Sequence, residues 1–124
     1  MPEGPQVMYM VDILNNQFKR ATLKKFKING GRYSRHGVPK RYNEFRKNIG
    51  NSGNKIKSFN CKGKLVWIEF ENNYSMVVIL AYAHFTTSYD KHCYYQFETS
   101  LGNFYIDDPR NFGRISFVTS EELV

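Results

Sequence analysis

Four short segments carry residue types that could do chemistry. The chain opens Met1-Pro2-Glu3. Loss of Met1 would leave Pro2 as a secondary amine at the chain terminus. Terminal amines have pKa values near ~7.7–8.0, so a fraction is neutral and nucleophilic at physiological pH. An amine nucleophile beside a carboxylate is the makings of Schiff-base catalysis. By residue chemistry alone, the commoner meaning of such a pair is a plain helix start. Lys62-Gly63-Lys64 lies between two apolar runs. Glycine permits a tight turn there, and the lysines could reach phosphate or stand in solvent. Asp107-Asp108-Pro109-Arg110-Asn111-Phe112-Gly113-Arg114 has Asp before Pro, as a type I turn prefers. It would display an Arg and an aromatic from a stiff base, suited to filling a gap in a base stack. The alternative is a surface turn with Phe112 folded into the core. Tyr82 ends the run from Ser75 and reads either as a second wedge or as a strand-end aromatic.

The metal-binding vocabulary is sparse. Cys61 and Cys93 form no Cys-x-x-Cys pair, and the histidines are His36, His84 and His92. A mixed site from Cys61, His84, His92 and Cys93 is weaker than reading both cysteines as reduced packing thiols, so no metal site and no cofactor is expected in this chain. The chain has 124 residues, a formal charge of +7 and 16% aromatic residues. That size predicts one domain, and the aromatic load argues against disorder. The excess of base points to a polyanionic partner, nucleic acid first. No stretch is apolar for long enough to span a membrane, and the start lacks the pattern of a secretory signal, so an intracellular, non-secreted protein without a membrane partner is expected.

These residues need elements to hold them. Pro5 followed by Val7, Val11, Leu14 and Phe18 has helical spacing and predicts an amphipathic helix over 5–18. Residues 21–28 read as a strand with a basic face, 30–40 as a loop, and 41–49 as a short polar helix closed by the Gly50–Gly53 cluster. From Lys55 onward the pattern is β: runs at 55–61, 64–71, 75–82, 94–99, 103–107 and 114–118 are separated by turn residues. The fold class is therefore mainly β with flanking helices, a sandwich or barrel of short strands. Thr119-Ser120-Glu121-Glu122 fits a capping box, with Leu123 and Val124 as the first apolar residues of a helix. A helix that ends within one turn is unstable, so the sequence reads as a fragment cut near a domain boundary.

Taken in order, the chemical segments resemble one family. Met1-Pro2-Glu3-Gly4-Pro5 is similar to the start of the formamidopyrimidine-DNA glycosylase and endonuclease VIII family. Phe59-Asn60-Cys61-Lys62-Gly63-Lys64-Leu65 resembles its Gly-Lys hairpin, and Asp108-Pro109-Arg110-Asn111-Phe112-Gly113-Arg114 its intercalation loop. The resemblance covers the whole chain and implies a base-excision-repair DNA glycosylase with AP lyase activity. Pro2 would attack the anomeric carbon of a damaged nucleotide, and the Schiff base would undergo β- and δ-elimination. Glu3 would be the general acid/base. Lys64 would contact phosphate and assist proton transfer, with Lys62, Asn111 and Arg114 as further DNA contacts. Tyr82, Arg110 and Phe112 would fill the void left by the flipped nucleotide. Many members have Met where Tyr82 stands, and endonuclease VIII has Tyr, which favours that branch and oxidised pyrimidines. The implied fold is a two-layer β-sandwich with flanking helices, and the implied partner is damaged double-stranded DNA, with single-stranded or bubble DNA as the alternative, bound by a monomer.

The sequence also departs from the pattern. Gln6 replaces the second Glu of a Pro-Glu-Gly-Pro-Glu start, leaving hydrogen bonding but no charge for a helper role. Asn111 replaces a second Arg in the loop, and Ala81 and Ala83 replace small Gly-rich positions beside Tyr82. The family's C-terminal half, a helix–two-turn–helix motif with a zinc or zincless finger, has no counterpart. Residues 1–119 then read as the catalytic sandwich and 120–124 as the start of a link to that half, where any zinc would belong. The expectation for this chain alone is weak or absent activity, and none while Met1 is retained. The alternative is a non-catalytic nucleic-acid-binding module of the same fold.

Overall fold

The computed structural model describes residues 4–49 and 53–123. Pro2 and Glu3, like the Gly50–Ser52 part of the expected glycine cluster and Val124, lie outside the described residues. The elements in chain order are α1 (Gly4–Phe18), β1 (Thr22–Ile28), α2 (Arg32–Arg35), α3 (Tyr42–Ile49), β2 (Asn54–Lys62), β3 (Leu65–Phe70), β4 (Tyr74–Ile79), β5 (His84–Thr86), β6 (Cys93–Thr99), β7 (Gly102–Asp107), β8 (Arg114–Thr119) and α4 (Ser120–Leu123). The strands follow the order β5-β7-β6-β1-β2-β3-β4-β8, and every neighbouring pair is antiparallel.

The sheet folds over at β1 and β2. These two strands share only Thr22↔Lys55 and Leu23↔Asn54, and each is irregular next to that join. A bulge increases local twist and lets a sheet turn a corner. The two halves therefore face each other as the expected two-layer sandwich. Phe26 of β1 meets Phe117 of β8 at 6.1 Å between ring centres, and Phe59 of β2 meets Phe104 of β7 at 5.6 Å. Phe97 and Phe104 stack at 4.3 Å within one half. The large aromatic content thus lies mostly in a continuous core, which offset and edge-to-face pairs stabilise beyond area burial.

The helices close this core. In α1, Val7, Val11, Leu14 and Phe18 are the buried residues, the stripe predicted from their spacing. Asn15 fixes the helix to β2 by donating to the Phe59 carbonyl and accepting from the Phe59 amide, both at 2.8 Å. Helix α3 plugs the seam between β1 and β8. Phe45 lies 4.5 Å from Phe117, and Tyr42 contacts both Phe26 and Phe117. Thr119 and Glu122 form the expected capping box at α4: the Thr119 amide donates to Oε1 of Glu122 at 3.1 Å, and the Glu122 amide donates to Oγ1 of Thr119 at 3.4 Å.

Three details differ from the sequence expectation. β4 stops at Ile79, because Ala81 takes a left-handed φ of 52° and the Ala83 amide turns back to the Leu80 carbonyl at 2.7 Å. β5 is an additional strand of three residues. The 30–40 segment contains one helical turn, α2. No helix among the described residues is long and apolar enough to cross a membrane.

Candidate nucleic-acid interface

The site is assembled by strand register. Lys62 stands opposite Leu65, Leu65 opposite Ile79, and Ile79 opposite Arg114. This row puts the β2–β3 hairpin tip, the segment leaving β4 and the loop entering β8 at one end of the sandwich. The hairpin has two central residues. Gly63 is first of them, with φ +60°, the position a type II′ turn reserves for glycine. Lys62 is exposed and Lys64 half-buried. Helix α1 points its start toward the same end. Asn15 is beside Phe59 while the Arg20 amide meets the Ile56 carbonyl, so the helix runs antiparallel to β2. Its first half lies against β5, where Met10 Sδ accepts from the Phe85 amide at 3.3 Å. Gln6 is exposed on this part of the helix, in a groove shared with Tyr9, Met10 and Phe85.

The loop between β7 and β8 is braced from within. Asp108 is fully buried. Its amide donates to the His92 carbonyl at 3.0 Å, its carbonyl accepts from Asn111 at 3.0 Å, and Oδ2 accepts from Gly113 at 3.1 Å. A Cβ on Gly113 would stand 2.9 Å from that Oδ2, so only glycine fits. Burial pushes the Asp108 carboxyl upward, against the backbone amides that hold it down. The hydroxyl of Tyr95 and Oδ1 of Asp108 are both sealed without a hydrogen-bond partner among the described residues. Burial, and then the charge of Asp108, raises the Tyr95 phenol far above its ordinary range, so it stays protonated.

The brace leaves three side chains outward. Phe112 is 56% exposed and Tyr82 39% exposed, which excludes the reading that places Phe112 in the core. Their ring centres are 6.0 Å apart, and the Arg110 guanidinium lies 4.9 Å from the Tyr82 ring centre. Two segments far apart in sequence thus present one cluster of two aromatics and a cation. Arg114 is exposed beside it at the start of β8. Asn111 also holds the loop from within: it adopts a left-handed φ of 58°, and its Oδ1 accepts from the Arg32 amide at 2.9 Å. Sequence reasoning missed this partner. The single turn of α2 locks the loop, with the Arg32 guanidinium on the Gly113 carbonyl at 3.4 Å and Tyr33 Oη on both Ile115 backbone groups.

Over residues 1–115 the chain matches the model of the formamidopyrimidine-DNA glycosylase N-terminal domain, and it belongs to that family. A search of the curated proteins finds no match. Among solved structures, the Lactococcus lactis Fpg bound to DNA containing N7-benzyl-Fapy-dG has a TM-score of 0.80 at 17% identity, covering 98% of this chain and 46% of its own. MutM (Fpg) from Thermus thermophilus has a TM-score of 0.74 at 24% identity, covering 95% and 41%. A MutM complex with DNA containing carbocyclic 8-oxo-G has a TM-score of 0.79 at 18% identity, covering 98% and 46%. At such identities the likeness is one of fold. The chain spans less than half the length of these relatives. Neither comparison separates the endonuclease VIII branch from the rest of the family.

Proposed function

We propose that this chain is the catalytic part of a bifunctional DNA glycosylase/AP lyase of base-excision repair, acting on damaged double-stranded DNA. The observation that carries this reading is the exposed cluster of Tyr82, Arg110 and Phe112 beside the Lys62–Arg114 row, at the end where α1 starts. A duplex laid on that end would meet Lys62, Lys64 and Arg114 with its phosphates. The two rings and Arg110 would fill the space left by a flipped nucleotide.

Chemistry then falls to the residues before α1. With Met1 removed, the Pro2 nitrogen attacks C1′ of the flipped nucleotide and the damaged base departs. Glu3 protonates the ring oxygen as the sugar opens to an iminium, then moves the protons of β- and δ-elimination. Lys64 holds the phosphate near the lesion. The tyrosine at position 82 favours the endonuclease VIII branch and oxidised pyrimidines. A panel of duplexes carrying oxidised pyrimidines, 8-oxoguanine or an abasic site tests this. Strand nicking strongest at the pyrimidine lesions and the abasic site is expected, and nicking confined to 8-oxoguanine overturns the branch.

Gln6 favours a second reading, a non-catalytic DNA-binding module, because it removes one carboxylate from the N-terminal motif. That reading requires equal affinity for intact and abasic duplexes and no nicking of either.

A further inference from the structure

Behind the loop that carries Arg110 and Phe112 lies a second group of chemistry-bearing side chains. Asp90, His92 and Asp107 each bring one donor atom within 4.8 Å of the other two. His84 Nε2 approaches the same Asp107 carboxylate, 3.8 Å from Oδ2. Pairing within the protein satisfies the cluster only in part: Asp90 Oδ1 accepts from the His92 amide at 2.8 Å. Asp107 is only 8% exposed, and its Oδ1 is sealed from solvent with no hydrogen-bond partner among the described residues. A carboxylate is acceptor-only when ionised, and so is its neighbour Asp90. Two acceptors facing each other with a sealed, unsatisfied oxygen need a cation or a proton between them.

We propose that His84, Asp90, His92 and Asp107 bind a divalent cation of the zinc class. Two imidazoles and two carboxylates suit zinc, manganese or iron, whereas magnesium and calcium prefer oxygen-only shells. Donors on a tetrahedral zinc at about 2.0–2.2 Å stand roughly 3.3–3.6 Å apart, so Asp90, His92 and Asp107 close on an ion with shifts of about 1 Å, and His84 swings in as the fourth donor. His84 and Asp90 are exposed, with Asp90 Oδ1 already accepting from the His92 amide at 2.8 Å, while buried Asp107 forms the fixed wall. The bound ion would tie β5 and the 90–92 turn to the last residue of β7. Asp107 directly precedes Asp108, the root of the exposed loop, and the Asp108 amide is already bonded to the His92 carbonyl. The cation thus acts as a clip that stiffens the loop from behind. Cys61 has no part in it, although the sequence placed it in the one metal set considered; the aspartates take the places of the cysteines.

The test uses the 124-residue chain stripped with chelator, with fold checked by circular dichroism. Zn2+ is titrated by calorimetry, and Co2+ by visible absorption, which is intense only for low-coordinate sites. One equivalent of Zn2+ with micromolar or tighter affinity is expected, together with an intense Co2+ spectrum and no displacement by millimolar Mg2+. D90N at an exposed position and H92A at a half-buried one should each weaken Zn2+ at least tenfold. H36A, remote from the cluster, should leave it unchanged, and amide exchange at Asn111 and Gly113 should slow about tenfold in the zinc-bound protein. Absence of binding, binding that D90N and H92A leave intact, or equal competition by Mg2+ would overturn the proposal.

Discussion

Phe112 shows how much a single side chain is asked to do here. An exposed phenylalanine beside an exposed tyrosine leaves apolar area in water, and it is held out by a loop whose own hydrogen bonds are internal. Base–aromatic stacking contributes about 1–3 kcal/mol per base. Phe112→Ala should therefore weaken binding to an abasic duplex by about 5- to 150-fold while leaving the urea midpoint nearly unchanged, since the ring is largely exposed and lies outside the buried core. Fluorescence anisotropy and urea denaturation measure the two sides. At this scale the sequence was partly legible. Asp-Pro before Arg and Phe announced a rigid turn. That Arg110 lies over Tyr82 was not legible, because the meeting depends on Ile79 pairing with Arg114. The role of Asn111 was equally hidden, since its partner Arg32 lies 79 residues away in a segment read as loop.

Among the elements, α1 and α4 carry sharp expectations. Asn15→Ala removes both hydrogen bonds that fasten α1 to β2 and leaves the Phe59 amide and carbonyl unpaired. An unsatisfied buried group costs about 1–3 kcal/mol, so a loss in that range is expected in urea denaturation. At the other end, Glu122 is held down to about 2, first by its hydrogen bond from Arg41 and then by Thr119. A carboxyl lowered by folding adds stability that is present above its ordinary pKa and lost as pH falls from there to about 2. NMR titration should show Glu122 ionised down to that range. Arg41→Ala should raise its midpoint more than Thr119→Ala does, and added salt should shrink the effect because the pair is exposed. Longer elements were readable because burial repeats along them, as in Val7, Val11, Leu14 and Phe18. β5 and α2 were not, because three or four residues hold too little of any period. The end of β4 was misplaced for a related reason. Its apolar run continues to Tyr82, and only the left-handed turn at Ala81 shows where pairing stops.

For the whole molecule, the +7 charge matters by where it falls. The strand row brings Lys62, Lys64 and Arg114 to one end, so a bound duplex displaces counterions there. Each neutralised phosphate adds about 0.9 to the slope of log affinity against log salt. Lys64→Ala should lower that slope by about 1, whereas the same change at Lys55, exposed at the opposite end of β2 from Lys62, should not alter it. A single folded-over sheet with an aromatic core holds these groups in register, and composition had already pointed to such a β-rich fold. The central claim concerns Pro2, and borohydride trapping tests it most directly. The chain is shorter than half of its structural relatives, so the reaction is run at low salt with protein in excess over duplex DNA carrying an abasic site. Protein lacking Met1, verified by mass spectrometry, should form a covalent adduct that Pro2→Gly slows strongly and that retained Met1 abolishes. An absence of adduct from the Met1-free protein, or trapping that is undiminished when Met1 is retained, would contradict the account.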